Sequence, residues 1–332
     1  MLYYYTFDEN YLARQETLKQ NTLWIHVEKP STQEIDTLRK NYHLPKDYLT
    51  AVLDDEENSR SEGLNQQHMK KAALLLLQFP YEVQSPSGFQ QFETYPLSLI
   101  ITPENRIITI ANYFLPFFQA IKNHYFKPND NVPEMNIALE ILWQVVLSFN
   151  NRLKTTKDHL DRLEKQIKVS TQNEQLYQIM DVQKSLVSFD EATSANLDTL
   201  KALSNTELIQ LKGHHAFKHH LRDVIEETKQ SLTSASIQLK FATHMNDTFS
   251  SVVSNNLNNV MKILTSITLV LTIPTIISGI YGMNVKLPLD TYHNTFWAIM
   301  LVTIIISWIA VKILKKKVFY NILEVFPCFL VA

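Results

Sequence analysis

The residues whose spacing could do chemistry in this 332-residue chain are mostly uncharged. Asn258, Met261, Thr265, Thr268, Thr272, Thr275 and Gly279 follow at intervals of 3, 4, 3, 4, 3 and 4, so on a helix they share one face. Directly beyond them stands "YGMN", which supplies Gly282, Met283 and Asn284. Hydroxyls, an amide and backbone carbonyls beside glycine neither take up protons nor attack carbon. They give and accept hydrogen bonds. Ile263, Ile267, Val270, Ile273 and Ile277 occupy the other sides of the same helix. A hydroxyl stripe through such an apolar segment fits an aqueous lumen. Small and hydroxyl residues also mediate helix packing in lipid, and spacing leaves both readings open. For "YGMN" alone the plain reading is a turn between helices, with glycine as C-cap and asparagine left-handed.

Two charged groups add other chemistry. Asp54, Asp55, Glu56 and Glu57 lie in "DDEEN". Carboxylates facing one another across an interface repel until a cation bridges them, although such a run is equally a solvated cluster. In "GHHAFKHH", Gly213 to His220, His215 and His219 stand four apart, as do His214 and Lys218. A pair at that spacing can ligate zinc or simply be exposed. No nucleophile–base set or phosphate-binding glycine loop stands out, so an enzyme is not expected. The formal charge of -2 argues against a nucleic-acid partner. The one cysteine, Cys328, allows no internal disulfide and suits a reducing compartment.

The elements that must carry these residues are partly apolar. Ile263–Ile280 has no charge over 18 positions and Thr295–Val311 none over 17. Each covers about 26 Å as helix, close to a bilayer core. Lys262 and Lys312 can snorkel at the ends, and Phe296, Trp297 and Trp308 suit the interface. Two buried core helices are the alternative. Lys312, Lys315, Lys316 and Lys317 follow the second segment, while Tyr281–Asn294 carries only Lys286 and Asp290. The positive-inside tendency therefore puts both termini in the cytosol. "MLYYYTFDEN" has neither basic nor apolar leader character, and no cleavable signal is expected.

Prolines divide the rest. Nine of the twelve precede residue 134, and none falls between Glu134 and Ile273. The expected layout is an α/β domain over 1–130 and a helical stalk over 131–260. A first span (261–281), a loop (282–294), a second span (295–314) and a basic segment with an apolar tail (315–332) follow. "LYYYTF", "LWIHV", "AALLLLQF", "YPLSLIIT" and "RIITIAN" read as strands, the last two joined by a turn at Pro103–Asn105. Ser31 and Glu34 form a capping-box pattern. Met135–Ile167 and Glu174–Leu203 read as long amphipathic helices. A third helix is expected from near Thr206 to Ile280, about 75 residues and roughly 110 Å.

"YGMN" between two terminal spans, behind a proline-free stalk, resembles the CorA family of magnesium transporters. "SNNLNNVMKILT", Ser254 to Thr265, and the basic cluster after the second span fit it too. The resemblance implies a funnel-shaped homopentamer in the cell membrane. The first span would line a pore, and five loops would form an extracellular filter of Gly282, Met283 and Asn284. Asn258, Met261, Leu264, Thr265, Thr268, Thr272, Thr275 and Gly279 would line the path, with Met261 and Leu264 as an apolar collar. Mg²⁺ surrenders water reluctantly. Neutral oxygens of Asn284 and Gly282 can meet its hydration shell, where a carboxylate ring would trap it. The implied function is Mg²⁺ uptake, with Co²⁺ or Ni²⁺ as secondary ions, driven by the membrane potential and gated by cytoplasmic divalent ions. A regulatory metal would sit at Asp223 in "LRDV". Its partner position here is Ala51 rather than an acid, and Asp54, Asp55, Glu56 or Glu57 stand close enough in sequence to replace it. Pro274 lies eight residues before Gly282, where the best-known members place proline nine before. A zinc transporter of the same architecture and a membrane-anchored signalling or scaffolding protein are the alternatives.

Overall fold

The computed structural model describes residues 1–64, 70–126, 133–169, 173–206, 215–284 and 295–314. Two units partition the chain, Met1–Asp247 and Thr248–Ala332.

The first unit is built on a seven-stranded sheet of order β2-β1-β3-β7-β6-β5-β4. The strands are β1 (Leu2–Asp8), β2 (Tyr11–Gln15), β3 (Trp24–Glu28), β4 (Arg60–Glu62), β5 (Ala73–Gln84), β6 (Gln90–Ile101) and β7 (Ile107–Ala111). Neighbours are antiparallel except β3 and β7. The segment between β3 and β4 holds α1 (Thr32–Tyr42), α2 (Lys46–Thr50) and a 3-10 turn, Ala51–Leu53. These cover one sheet face. Ile35, Leu38, Tyr42, Leu49 and Val52 pack with Ile25, Val27, Leu74, Leu76, Ile100, Ile108 and Ile110. The expected α/β class holds.

The capping box forms as read from the sequence. Ser31 Oγ accepts from the Glu34 amide at 3.3 Å, and the Ser31 amide donates to Glu34 Oε2 at 2.8 Å. Ser31→Ala should therefore cost about 1 kcal/mol, measured as a lowered thermal midpoint. The turn between β6 and β7 also forms, with Thr102 donating to the Arg106 carbonyl at 2.9 Å and Asn105 at φ 58°.

Strands β2 and β4 are not foreseen by the sequence reading, and β5 and β6 run further than expected. The expected strands stop just before Pro80 and begin one residue before Pro96. In register, however, Pro80 faces Thr94 and Pro96 faces Gln78. The Gln78 amide points out of the hairpin to Asn196 Oδ1 at 2.9 Å, and its carbonyl accepts from Asn196 Nδ2 at 2.8 Å. Gln78–Pro96, and Pro80–Thr94 two residues along, are thus pairs whose backbone groups face away from each other. Neither proline forfeits a ladder bond.

His26 on β3 is buried, with Nδ1 2.9 Å from Thr109 Oγ1, to which Trp24 Nε1 also donates at 2.8 Å. Burial pulls the His26 pKa down from 6.5 to about 3. Folded His26 is neutral, so between those two values the unfolded chain binds a proton that the folded one refuses. Stability falls as pH drops through that window, by about 2 kcal/mol between pH 7 and pH 5. His26→Gln should flatten this part of the pH dependence in urea unfolding, and equal slopes in the two proteins would contradict the assignment.

Five further helices follow: α3 (Phe118–Lys122), α4 (Pro133–Val169), α5 (Asn173–Ser204), α6 (His215–Tyr281) and α7 (Thr295–Leu314). Both expected amphipathic helices are present as α4 and α5. The third is described over His215–Tyr281, 67 residues, and positions 207–214 lie outside the described residues. Thr206 instead closes α5, its amide donating to the Leu203 carbonyl at 3.2 Å and its hydroxyl to the same oxygen at 2.8 Å. Gly213 and His214 lie outside the described residues. Within the first unit α6 buries Leu221, Val224, Thr228, Ser231, Ala235, Gln238, Ala242 and Met245, a stripe at alternating spacings of three and four. Asn150 of α4 donates to Glu227 Oε1 and accepts from Ser231 Oγ, both at 2.6 Å.

Candidate functional site

In the second unit α6 and α7 are apolar on nearly every side. Both are long and apolar enough to cross a membrane. Only 6 % of the most apolar stretch of α6, and none of that of α7, is buried within the chain. Leu271 is 63 % exposed and Ile304 59 %. Core helices bury such side chains, so this pattern belongs in hydrocarbon.

The faces of α6 are not equivalent. From Asn258 to Gly279 its sheltered residues are Asn259, Ile263, Ser266, Val270, Ile273, Pro274 and Ile277. Asn258, Met261, Thr265, Thr268, Thr272, Thr275 and Gly279 are all exposed. At 100° per residue they lie about 150° around the helix from that sheltered face. Leu264 joins the exposed side at 56 %. On α7 the sheltered residues are Ile299, Thr303, Ser307, Ala310 and Leu314.

The stripe's hydroxyls have a fixed polarity. Thr265 donates to the Met261 carbonyl at 2.8 Å, Thr268 to Leu264 at 2.9 Å, Thr272 to Thr268 at 2.6 Å and Thr275 to Leu271 at 2.9 Å. Each proton is committed to the helix's own backbone, so the outward-facing oxygens act as acceptors. Pro274 sits inside α6 and leaves the Val270 carbonyl without its usual partner. No Asp, Glu, Lys, Arg or His occurs from Ile263 to Asn284. The electrostatics of this face are those of dipoles.

Tyr281 ends α6. The Gly282 amide donates to Ser278 at 2.9 Å and Met283 to Ile280 at 3.3 Å. A Cβ on Gly282 would sit 3.1 Å from the Ser278 carbonyl, whereas one on Gly279 would meet nothing within 4 Å. Glycine at 282 thus lets the chain pass close to the last helical turn. Neither glycine, nor Asn284, has positive φ, so the plain left-handed cap does not describe this end. Met283 is 57 % exposed, and Asn284 is exposed at the tip. Lys286, Asp290 and Lys315 to Lys317, on which the reading of topology rests, lie outside the described residues.

The expected regulatory acids have partners of their own. Asp223 Oδ2 lies 3.1 Å from His219 Nδ1. Asp55 accepts from the Tyr113 hydroxyl at 2.7 Å, and Asp54 from the Glu56 amide at 3.1 Å. Glu57 pairs with Arg60. Ala51 is 4 % exposed and belongs to the core of the first unit. Among the described residues no three of His, Cys, Asp and Glu gather to hold a metal, so one chain alone does not assemble such a site there. His220 stacks edge-on against Trp143 at 5.9 Å. The His219–Asp223 pair escaped the sequence reading, which paired histidine with histidine; the four-residue step between them was the available signal.

A family model described as "CorA-like Mg2+ transporter protein" matches residues 19–316. The cobalt/magnesium transport protein CorA of Methanocaldococcus jannaschii is 30 % identical over 183 residues, 54 % of this chain and 57 % of that protein. The magnesium transport protein CorA of Campylobacter jejuni is 22 % identical over 96 % of this chain and 99 % of its own length. The solved structure of the CorA magnesium transporter from M. jannaschii shares the fold with a TM-score of 0.76 at 23 % identity, covering 94 % of this chain and 96 % of that one. A sheet domain, a 67-residue helix that ends at Tyr281 directly before "GMN", and a second apolar helix accompany a family match over nearly the whole chain; the chain belongs to the CorA-like Mg²⁺ transporter family.

Proposed function

We propose that this chain takes up Mg²⁺ across a cell membrane as a homopentamer, with Co²⁺ and Ni²⁺ as secondary ions. Residues 1–130 and 131–260 form the cytoplasmic part. The span 261–281 lines the conduction path, 282–294 is the outer loop, 295–314 the outer span and 315–332 a cytoplasmic end. Both termini face the cytosol. The observation that carries this reading is the exposed acceptor stripe of α6, ending in Gly282, Met283 and Asn284, on a helix otherwise suited to lipid.

The chain's own residues account for each step. Five Asn284 amides, with the Gly282 carbonyls, meet the water shell of an arriving ion. Ion-bound water presents hydrogens outward, which suits Thr275, Thr272, Thr268 and Thr265, whose own protons are engaged. Neutral groups hold the ion loosely enough to release it. Leu264 and Met261 form an apolar constriction that closes by dewetting, and Asn258 rings the inner mouth. A divalent ion moving inward through 100 mV gains roughly 4.6 kcal/mol, twice the single-charge value. Asp223, with Asp54, Asp55 and Glu56 of a neighbouring subunit, binds cytoplasmic divalent ions and favours closure.

Purified protein in liposomes, with a Mg²⁺ indicator inside, tests the reading. Influx should follow an inside-negative potential and stop when the potential collapses. Zn²⁺ entering faster than Mg²⁺ would transfer the assignment to zinc. No divalent flux from an intact assembly would leave a scaffolding protein instead.

A further inference from the structure

We propose that Asn196, in the middle of α5, is a positioning residue that fixes where the acidic run 54–57 stands, and thereby sets the internal Mg²⁺ concentration at which the protein closes. The second part rests on the proposed role of Asp54, Asp55 and Glu56 in closure, whereas the first does not. Strand β4 pairs with β5 over Arg60–Leu76, Ser61–Leu75 and Glu62–Leu74. Two residues further along, Asn58 would stand opposite Gln78 in that register. The Asn196 amide takes its place. Oδ1 accepts from the Gln78 amide at 2.9 Å, and Nδ2 donates to the Gln78 carbonyl at 2.8 Å. These are the two bonds that a residue of the next strand would make. The residues before Arg60 therefore leave the sheet.

The same side chain catches the departing segment. Ser59 Oγ donates to Asn196 Oδ1 at 2.8 Å. Gln78, whose backbone Asn196 fixes, donates from Nε2 to the Glu57 carbonyl at 2.9 Å and accepts from Thr94 Oγ1 at 3.2 Å. Residues 54–59 belong to no helix or strand, so their place is decided by tethers. The Tyr113 hydroxyl on Asp55 and Arg60 on Glu57 are two more. Asn196 is what ties the set to α5. It is 3 % exposed and Gln78 8 %. A buried amide bonded this fully holds its partners firmly, because moving it strands each of them without water.

Influx into liposomes at rising internal Mg²⁺ reads closure, and hydrogen exchange of residues 54–59 in the full-length protein reads the tether. Asn196→Ala and, separately, Ser59→Ala should speed that exchange at least tenfold. Both should raise the internal Mg²⁺ needed for half-closure at least threefold, with influx at low internal Mg²⁺ within a factor of two of wild type. Ser185→Ala is the control. Ser185 is buried on the same helix and accepts from the Phe92 amide at 2.9 Å, so the change cuts a similar bond between α5 and the sheet and should move neither reading. Ser59→Ala, which leaves both bonds to the Gln78 backbone in place, carries the test if Asn196→Ala fails to assemble. Unchanged exchange in these variants overturns the tether. Faster exchange with an unmoved half-closure point, or an equal shift in Ser185→Ala, overturns the control of closure by Asn196. Wild-type influx that internal Mg²⁺ does not slow would instead defeat the proposed regulation itself, and the exchange measurement would still judge the tether.

Discussion

Replacing Asn284 with alanine is expected to lower Mg²⁺ influx at least tenfold while the protein still assembles. The change deletes one amide per subunit at Asn284, which is exposed beyond the end of α6. In the proposed ring of five it removes all the side-chain acceptors that would meet the ion first. Each hydrogen bond is worth about 0.5–1.5 kcal/mol, so losing three of the five already exceeds the roughly 1.4 kcal/mol that makes a tenfold effect. Asn284→Asp should also slow influx, for the opposite reason: five carboxylates bind the ion too tightly to let it go. Influx into liposomes, with size-exclusion chromatography for assembly, measures both. Wild-type flux in the alanine variant would remove Asn284 from the path.

Phe189→Ala should destabilise the first unit by about 3–5 kcal/mol. Phe189 of α5 is fully buried, with its ring 5.8 Å from Phe92 of β6 and 5.6 Å, edge-on, from Phe149 of α4. One side chain therefore joins the sheet to both long helices, and truncation leaves a cavity at that junction. At roughly 2–4 °C per kcal/mol for a unit of this size, the unfolding midpoint should fall by about 10 °C. Phe189→Leu, which keeps most of the volume, should cost less than half as much. A drop of under 2 °C for the alanine variant would show that the helices are held elsewhere.

The spans, the stripe and the capping box could be read from the chain because each is set by local periodicity or local hydrogen bonding. Thr265 to Gly279 share a face whatever surrounds them, and Ser31 needs only Glu34. The family likeness likewise rested on contiguous residues around Gly282. What escaped depends on partners distant in sequence. The expected strands stop or start beside Pro80 and Pro96, whereas in register each proline nitrogen is turned away from the opposite strand. Asn196, in the middle of a helix, gives no sign that it caps the backbone of Gln78 across 118 positions. Thr206, near which the third helix was expected to begin, closes the helix before it through a hydroxyl bond to the Leu203 carbonyl. The regulatory acids were the least legible part, since their proposed meeting lies between subunits and Ala51 is taken up by the core.

The most direct test is the structure of the assembled protein in a lipid bilayer with Mg²⁺ present. Five subunits should surround one axis, with the Asn284 amides turned toward a water-coated ion and Thr265, Thr268, Thr272 and Thr275 facing the lumen below it. A dimer, or any assembly in which Asn284 and the threonine stripe face lipid, would contradict this arrangement.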